Sequence, residues 1–311
     1  MNSLGIYEKA LPKELSWLEK LNLCQKLGFN FIELSIDESD ERLSRLDWNQ
    51  AQRNEIKQAV SSSGTRIHTL MLSGHRRFPM GSSDPKVRLK SLDMVRKAID
   101  LASDLGIRNI QLAGYDVYYD KKTVCTREHF IDGLNEAVKL AAAKEVMLDI
   151  ETMDDPFLNS LSKISELKKQ IHSPWLQAYP DIGNLTAWLG INVGRDLEKN
   201  IDSIVSVHLK DTLPVTSTSK GKFRDVPFGT GTVDFEGCLK VLKRLGYQGA
   251  YTIEMWSENS SNPIEEIKNA KKYFDRLFAL IGIEQEKLPP FKKSMERFSS
   301  SKYAIARTQL D

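Results

Sequence analysis

Short apolar runs of β character alternate with helical stretches along the chain, and this alternation limits the fold more than any other property of the sequence. The runs lie at 4–7, 31–36, 66–72, 109–114, 146–150, 176–180, 204–210 and 250–256. Between and after them, apolar residues recur at helical spacing in 14–27, 48–60, 85–105, 127–143, 161–171, 193–200, 235–245 and 263–282. In the first of these the spacing is carried by Leu15, Leu18, Leu21, Leu23 and Leu27, and Gly28, Gly106 and Gly246 follow helices as stop signals. Strands separated by helices pair in parallel, so the pattern predicts an α/β fold, either an open doubly wound sheet or a closed (β/α)8 TIM barrel. Eight strands favour the barrel, and 311 residues suit a single barrel domain. That domain is expected over 1–283. Residues 284–311 form a tail rich in charge and serine, either an arm on a neighbouring subunit or a poorly ordered segment. The polar stretch 216–222 interrupts the repeat and is expected as a flexible surface loop.

Four consecutive runs end on a hard ligand: 146–150 on Glu151, 176–180 on Asp181, 204–210 on His208 near its end, and 250–256 on Glu254. Taken singly, a strand-end carboxylate serves as a solvated loop acid or a helix N-cap, and a histidine among valines serves as a core residue. In a barrel, however, the strand ends face one common mouth where the chemistry is done. Two glutamates, an aspartate and a histidine gathered there predict a catalytic site for one divalent metal ion per chain, with positions left for substrate. The donor set accepts manganese, magnesium, cobalt or zinc.

With 44 basic and 42 acidic side chains the chain is nearly neutral, which argues against binding to a phosphate backbone, so no nucleic-acid partner is expected. Cys24, Cys125 and Cys238 have no paired spacing, which fits a reducing cytoplasm better than a disulfide framework. No apolar run approaches the length of a membrane span, and Glu8, Lys9 and Lys13 interrupt the start, so neither a membrane partner nor a signal segment is expected.

Longer motifs surround the ligand positions: Tyr7-Glu8-Lys9-Ala10-Leu11-Pro12, the acidic stretch 37–48, His75-Arg76-Arg77-Phe78-Pro79, Tyr179-Pro180-Asp181-Ile182-Gly183-Asn184-Leu185, His208-Leu209-Lys210-Asp211-Thr212 and Val226-Pro227-Phe228-Gly229-Thr230-Gly231. Through them, over residues 6–274, the chain resembles the xylose-isomerase-like barrel superfamily and, within it, bacterial L-ribulose-5-phosphate 3-epimerases of ascorbate utilisation. The resemblance implies inversion at C3 of a ketopentose 5-phosphate, interconverting L-ribulose 5-phosphate and L-xylulose 5-phosphate. It also implies that the metal polarises the C2 carbonyl and holds the enediolate, while Glu151 and Glu254 move the proton on opposite faces. Asp181 and His208 would be ligands only. A sugar phosphate as partner and a homo-oligomer, a dimer, are expected.

The phosphate needs cations or backbone donors. His75, Arg76 and Arg77 follow the third run and Lys210 follows His208, which makes them candidates, and the amides of Gly229 and Gly231 are a further one. Asn184 can reach a substrate hydroxyl or serve its own turn. Tyr115, Tyr118 and Tyr119 follow the fourth run, as mouth or lid; His68, His129 and His172 are read as structural. Three rival readings compete: an aldose–ketose isomerase and a multi-zinc DNA-repair endonuclease, both needing more ligands than five histidines and these acids supply, and a non-catalytic sugar-phosphate sensor, which would not need a competent ligand set.

Overall fold

The computed structural model describes residues 1–288. The periodic stretches become helices whose ends follow from local chemistry. β1 (Leu4–Tyr7) leads into α1 (Trp17–Lys26), where Ser16 accepts the Glu19 amide and Glu19 accepts the Ser16 amide. β2 (Phe31–Ile36) is followed by the short α2 (Asp40–Leu43) and by α3 (Gln50–Ser63), the latter capped reciprocally by Asn49 and Gln52. β3 (Arg66–Leu72) precedes α4 (Pro85–Leu105), which begins on Asp84 with proline in its first turn and ends at Gly106, whose φ of 77° a β-carbon would resist.

β4 (Asn109–Ala113) is followed by α5 (Val124–Ala142), β5 (Met147–Glu151) by α6 (Leu161–Lys168), and β6 (Leu176–Tyr179) by α7 (Ile182–Leu189) and α8 (Val193–Lys199). After β7 (Ser206–Leu209) the chain makes an antiparallel hairpin of β8 (Leu213–Val215) and β9 (Lys220–Lys222). α9 (Phe235–Arg244), β10 (Ala250–Ile253) and α10 (Pro263–Ile281) complete it. The expected loop 216–222 is thus the tip and second strand of a hairpin, and α7 fills a stretch in which no helix was expected.

Eight strands form one parallel sheet in the order β6-β5-β4-β3-β2-β1-β10-β7. The two outer strands of that order meet: isolated bridges join Ala178 to Ile204 and Asp181 to His208, and the His208 amide donates to the Pro180 carbonyl at 2.9 Å. The sheet is therefore a barrel, not the open doubly wound alternative. Ile6, Ile32, Leu34, Leu70, Ile110, Leu148 and Ile150 are buried in the same apolar core as Leu21, Ala98, Leu134 and Ile164 of the helices. The lumen is polar: Glu33, Thr69, Tyr179, His208 and Thr252, all buried, contact one another across it.

At the opposite end the chain returns to its start. The Asn2 amide donates to the Glu284 carbonyl at 2.8 Å, the Glu286 amide donates to the Asn2 carbonyl at 2.9 Å, and Glu286 pairs with Arg66 at 2.7 Å. Contacts with the barrel therefore run past residue 283; residues 289–311 of the expected tail lie outside the described residues. Among the described residues no helix is long and apolar enough to cross a membrane.

Candidate active site

The four strand-end residues meet. Glu151 closes β5, Asp181 follows β6, His208 lies in β7 and Glu254 follows β10, so all four enter the carboxyl end of the barrel. One ligand atom from each lies within 4.8 Å of the others, and no side chain of the set is more than 4 % exposed. His208 Nδ1 is 3.2 Å from Glu151, 3.7 Å from Glu254 and 3.9 Å from Asp181.

Asp181 divides its two oxygens. Oδ1 caps α7 by accepting the Asn184 amide at 2.7 Å, while Oδ2 faces the cluster. One side chain thus serves as a helix cap and still turns an oxygen to the cluster. Gly183 makes this approach of α7 to β7 possible, because a β-carbon there would stand 2.3 Å from the Lys210 carbonyl oxygen.

Lys210 reaches the carboxylates rather than a remote phosphate wall: Nζ is 2.9 Å from Asp181 Oδ2 and 2.8 Å from Glu254 Oε2. Neither oxygen has a well-directed hydrogen bond. Burial raises the Glu151 carboxyl and lifts Asp181 to about 8. Burial also works against an ionised Glu254, but the Lys210 charge beside it holds it at about 2. Three buried carboxylates, an imidazole nitrogen turned toward them and two oxygens without directed partners fit a hard or borderline divalent cation. The cluster can hold one.

Above it a cavity is lined by Arg76, Lys9, Arg224, Asn184, Lys210 and Trp256, among others. Arg76 is half-buried and lies over the rings of Tyr115 and Tyr118, with Tyr115 accepting from its Nη2 at 3.3 Å and Asp154 beyond. Arg224, which sequence reasoning did not single out, follows the hairpin and lies over Trp256, 4.9 Å from the ring centre. Lys9 is paired with Asp37. Asn184 Nδ2 donates to the Thr152 carbonyl, leaving Oδ1 without a partner.

The other candidates go elsewhere. His75 is buried away from the cavity and its pKa falls to about 4 through burial. Arg77 is half-exposed and pairs with Asp40 at 2.6 Å. The Gly229 and Gly231 amides both donate to Asp211 Oδ2, at 2.9 and 3.0 Å, so a carboxylate of the chain itself takes the place offered to phosphate. Glu33 has no signal in the sequence because it lies inside a strand and not at its end, yet its Oε1 is 2.7 Å from His208 Nε2.

Residues 21–277 match the family model described as xylose isomerase-like TIM barrel. SgbU of Haemophilus influenzae is 52% identical over 91% of this chain and 98% of its own length. L-ribulose-5-phosphate 3-epimerase UlaE of Shigella boydii is 50% identical over 90% of this chain and 96% of its own. Among solved structures, 3-keto-D-glucoside 4-epimerase YcjR of E. coli superposes with a TM-score of 0.71 at 18% identity, covering 89% of this chain and all of the other. A structure of L-ribulose 3-epimerase gives 0.71 at 18%, covering 91% and 96%; at such identity these two speak for the fold alone. The barrel, its length and its close relatives agree: the chain belongs to the xylose isomerase-like TIM-barrel family and, within it, to the L-ribulose-5-phosphate 3-epimerases.

Proposed function

We propose that this isomerase inverts C3 of a ketopentose 5-phosphate, interconverting L-ribulose 5-phosphate and L-xylulose 5-phosphate. The observation that carries the reading is the buried meeting of Glu151, Asp181, His208 and Glu254 under a cavity with an arginine in its wall. A divalent cation held by these four residues acts, when bound, as a Lewis acid that makes a proton beside a carbonyl easier to remove. The remaining work falls to side chains of the chain. Glu151 and Glu254 come from β5 and from the end of β10, which are not neighbours in the barrel. One takes the C3 proton from its face of the substrate and the other returns a proton to the opposite face, the order depending on the direction of reaction.

The unpartnered Asn184 Oδ1 accepts from a substrate hydroxyl, and Arg76, with Lys9 and Arg224, receives the phosphate. Arg76 suits this because packing over two tyrosine rings orients the guanidinium before the substrate arrives. Lys210 neutralises the acidic cluster. We extend the reading to a cytoplasmic homodimer; the unpaired thiols of Cys24, Cys125 and Cys238 support a reducing compartment, and sedimentation velocity should return two chains per particle.

The test is turnover of L-ribulose 5-phosphate in deuterium oxide. Deuterium is expected at C3 of the product, with Glu151→Gln and Glu254→Gln each slower by about 10²–10⁴-fold. Label at C1 would instead mark an aldose–ketose isomerase. A wild-type preference for the free ketose would remove phosphate from the reading, and a near-native rate in either variant would remove that glutamate from catalysis.

A further inference from the structure

Glu33 lies in the middle of β2 with no exposure. Its Oε1 is 2.7 Å from His208 Nε2. Its Oε2 accepts the Thr69 hydroxyl at 2.6 Å and the Tyr179 hydroxyl at 3.0 Å. Tyr179 is fixed in turn by a contact of 2.9 Å with Thr252 Oγ1, and its ring packs edge-on against the His208 ring at 4.6 Å. A carboxylate removed from water is retained only where donors satisfy it, and side chains from β3, β6 and β7 converge here on one carboxylate of β2.

The consequence concerns which nitrogen of His208 is free. A neutral imidazole carries its proton on one nitrogen, and the partner of one nitrogen decides what the other can do. Thr69 and Tyr179 both donate to Oε2, which leaves Oε1 to accept from His208 and selects the form with hydrogen on Nε2. The lone pair is then on Nδ1, the nitrogen that faces Glu151, Glu254 and Asp181. We propose that Glu33 is a positioning residue: it locks the ring and tautomer of His208 so that Nδ1 is the metal-binding nitrogen, and thereby sets the affinity of the site for its ion. This rests on the reading of the four-residue cluster as a metal site.

The experiment is a titration of metal-free protein with zinc against a chelator of known affinity, for wild type, Glu33→Gln and Thr69→Val. Wild type should bind one ion per chain. Glu33→Gln keeps the shape and removes the charge, and is expected to bind zinc about 10–100-fold more weakly. Thr69→Val removes one of the two donors to Glu33 Oε2 and leaves Tyr179 and His208 in place, so its loss should be smaller and in the same direction. Nitrogen-15 resonances of zinc-loaded wild type should show His208 bound through Nδ1 and protonated at Nε2, with Glu33→Gln changing the Nε2 signal; His208→Gln identifies the pair. Equal affinities in wild type and Glu33→Gln, or His208 bound through Nε2, would overturn the proposal while leaving the metal site intact. A wild type that binds no ion would overturn the metal reading itself.

Discussion

Arg76 and Arg77 are neighbours in sequence and strangers in environment. Arg76 turns inward from the 3₁₀ turn Ser73–Arg76 to line the cavity, whereas Arg77 turns out to Asp40 and lies over Phe78. Hydrogen bonds to a charged group contribute about 1.5–3 kcal/mol, but a surface ion pair only about 0–1 kcal/mol. Arg76→Ala should therefore lower kcat/KM for L-ribulose 5-phosphate by about 10–150-fold, the same energy expressed as a rate ratio, with little effect on free L-ribulose. Arg77→Ala should leave both nearly unchanged. Equal losses on the two sugars would show that Arg76 holds the loop instead of the phosphate. The sequence could not separate this pair, since adjacent residues in a tight turn carry no periodic signal of which faces inward. Glu151, Asp181, His208 and Glu254 were legible because strand ends are fixed points of a barrel. Glu33 was not, because all of Phe31–Ile36 is buried and an acid inside such a run has no positional signature.

At the scale of elements, Glu8 joins the first quarter of the barrel. Fully buried, it accepts from Arg45 Nη1 and Nη2 at 2.6 and 2.9 Å, from Lys20 Nζ at 3.2 Å and from the Ser35 amide at 3.0 Å, tying β1 to α1, β2 and the turn before α3. Burial opposes its ionisation, yet the Arg45 and Lys20 charges bring its pKa from 4.5 to about 2. A pKa depressed by folding means stability that is complete above the unfolded value and lost as pH falls from about 4.5 toward 2. Glu8→Gln leaves Arg45 buried without its charge partner and should cost about 3–5 kcal/mol in urea unfolding at neutral pH. The difference from wild type should shrink at acid pH; a difference that does not change between neutral and acid conditions would deny the linkage. The helices found from the sequence had an apolar stripe and a cap or stop. α7 had neither in readable form: its cap is Asp181, whose other oxygen faces the cluster, and Ile182 through Ala187 are buried, so polar and apolar positions do not alternate. The hairpin of β8 and β9 looks like a loop in the sequence because its short strands are largely exposed and lack alternation.

The whole molecule is a ring of staves with one loose joint. Among the described residues, seven of the eight contacts between neighbouring strands are ladders, that of β2 and β3 with a register shift at Ile32/Glu33; β6 and β7 share only two isolated bridges, and one of them joins Asp181 to His208. The joint that closes the ring is therefore made in part by two of the residues that can grip a cation, which would act there as a hoop. Breathing of the barrel should begin at this joint and be checked by the ion: amides of residues 204–208 should exchange with solvent faster than those of β3 and β4 in metal-free protein and slow selectively when zinc is added. If zinc slows exchange uniformly, or spares 204–208, the ion is not fastening the ring. A cell short of the metal would then hold not merely an idle enzyme but one whose barrel opens more readily to proteases, so that metal supply would set the lifetime of the protein as well as its rate of turnover.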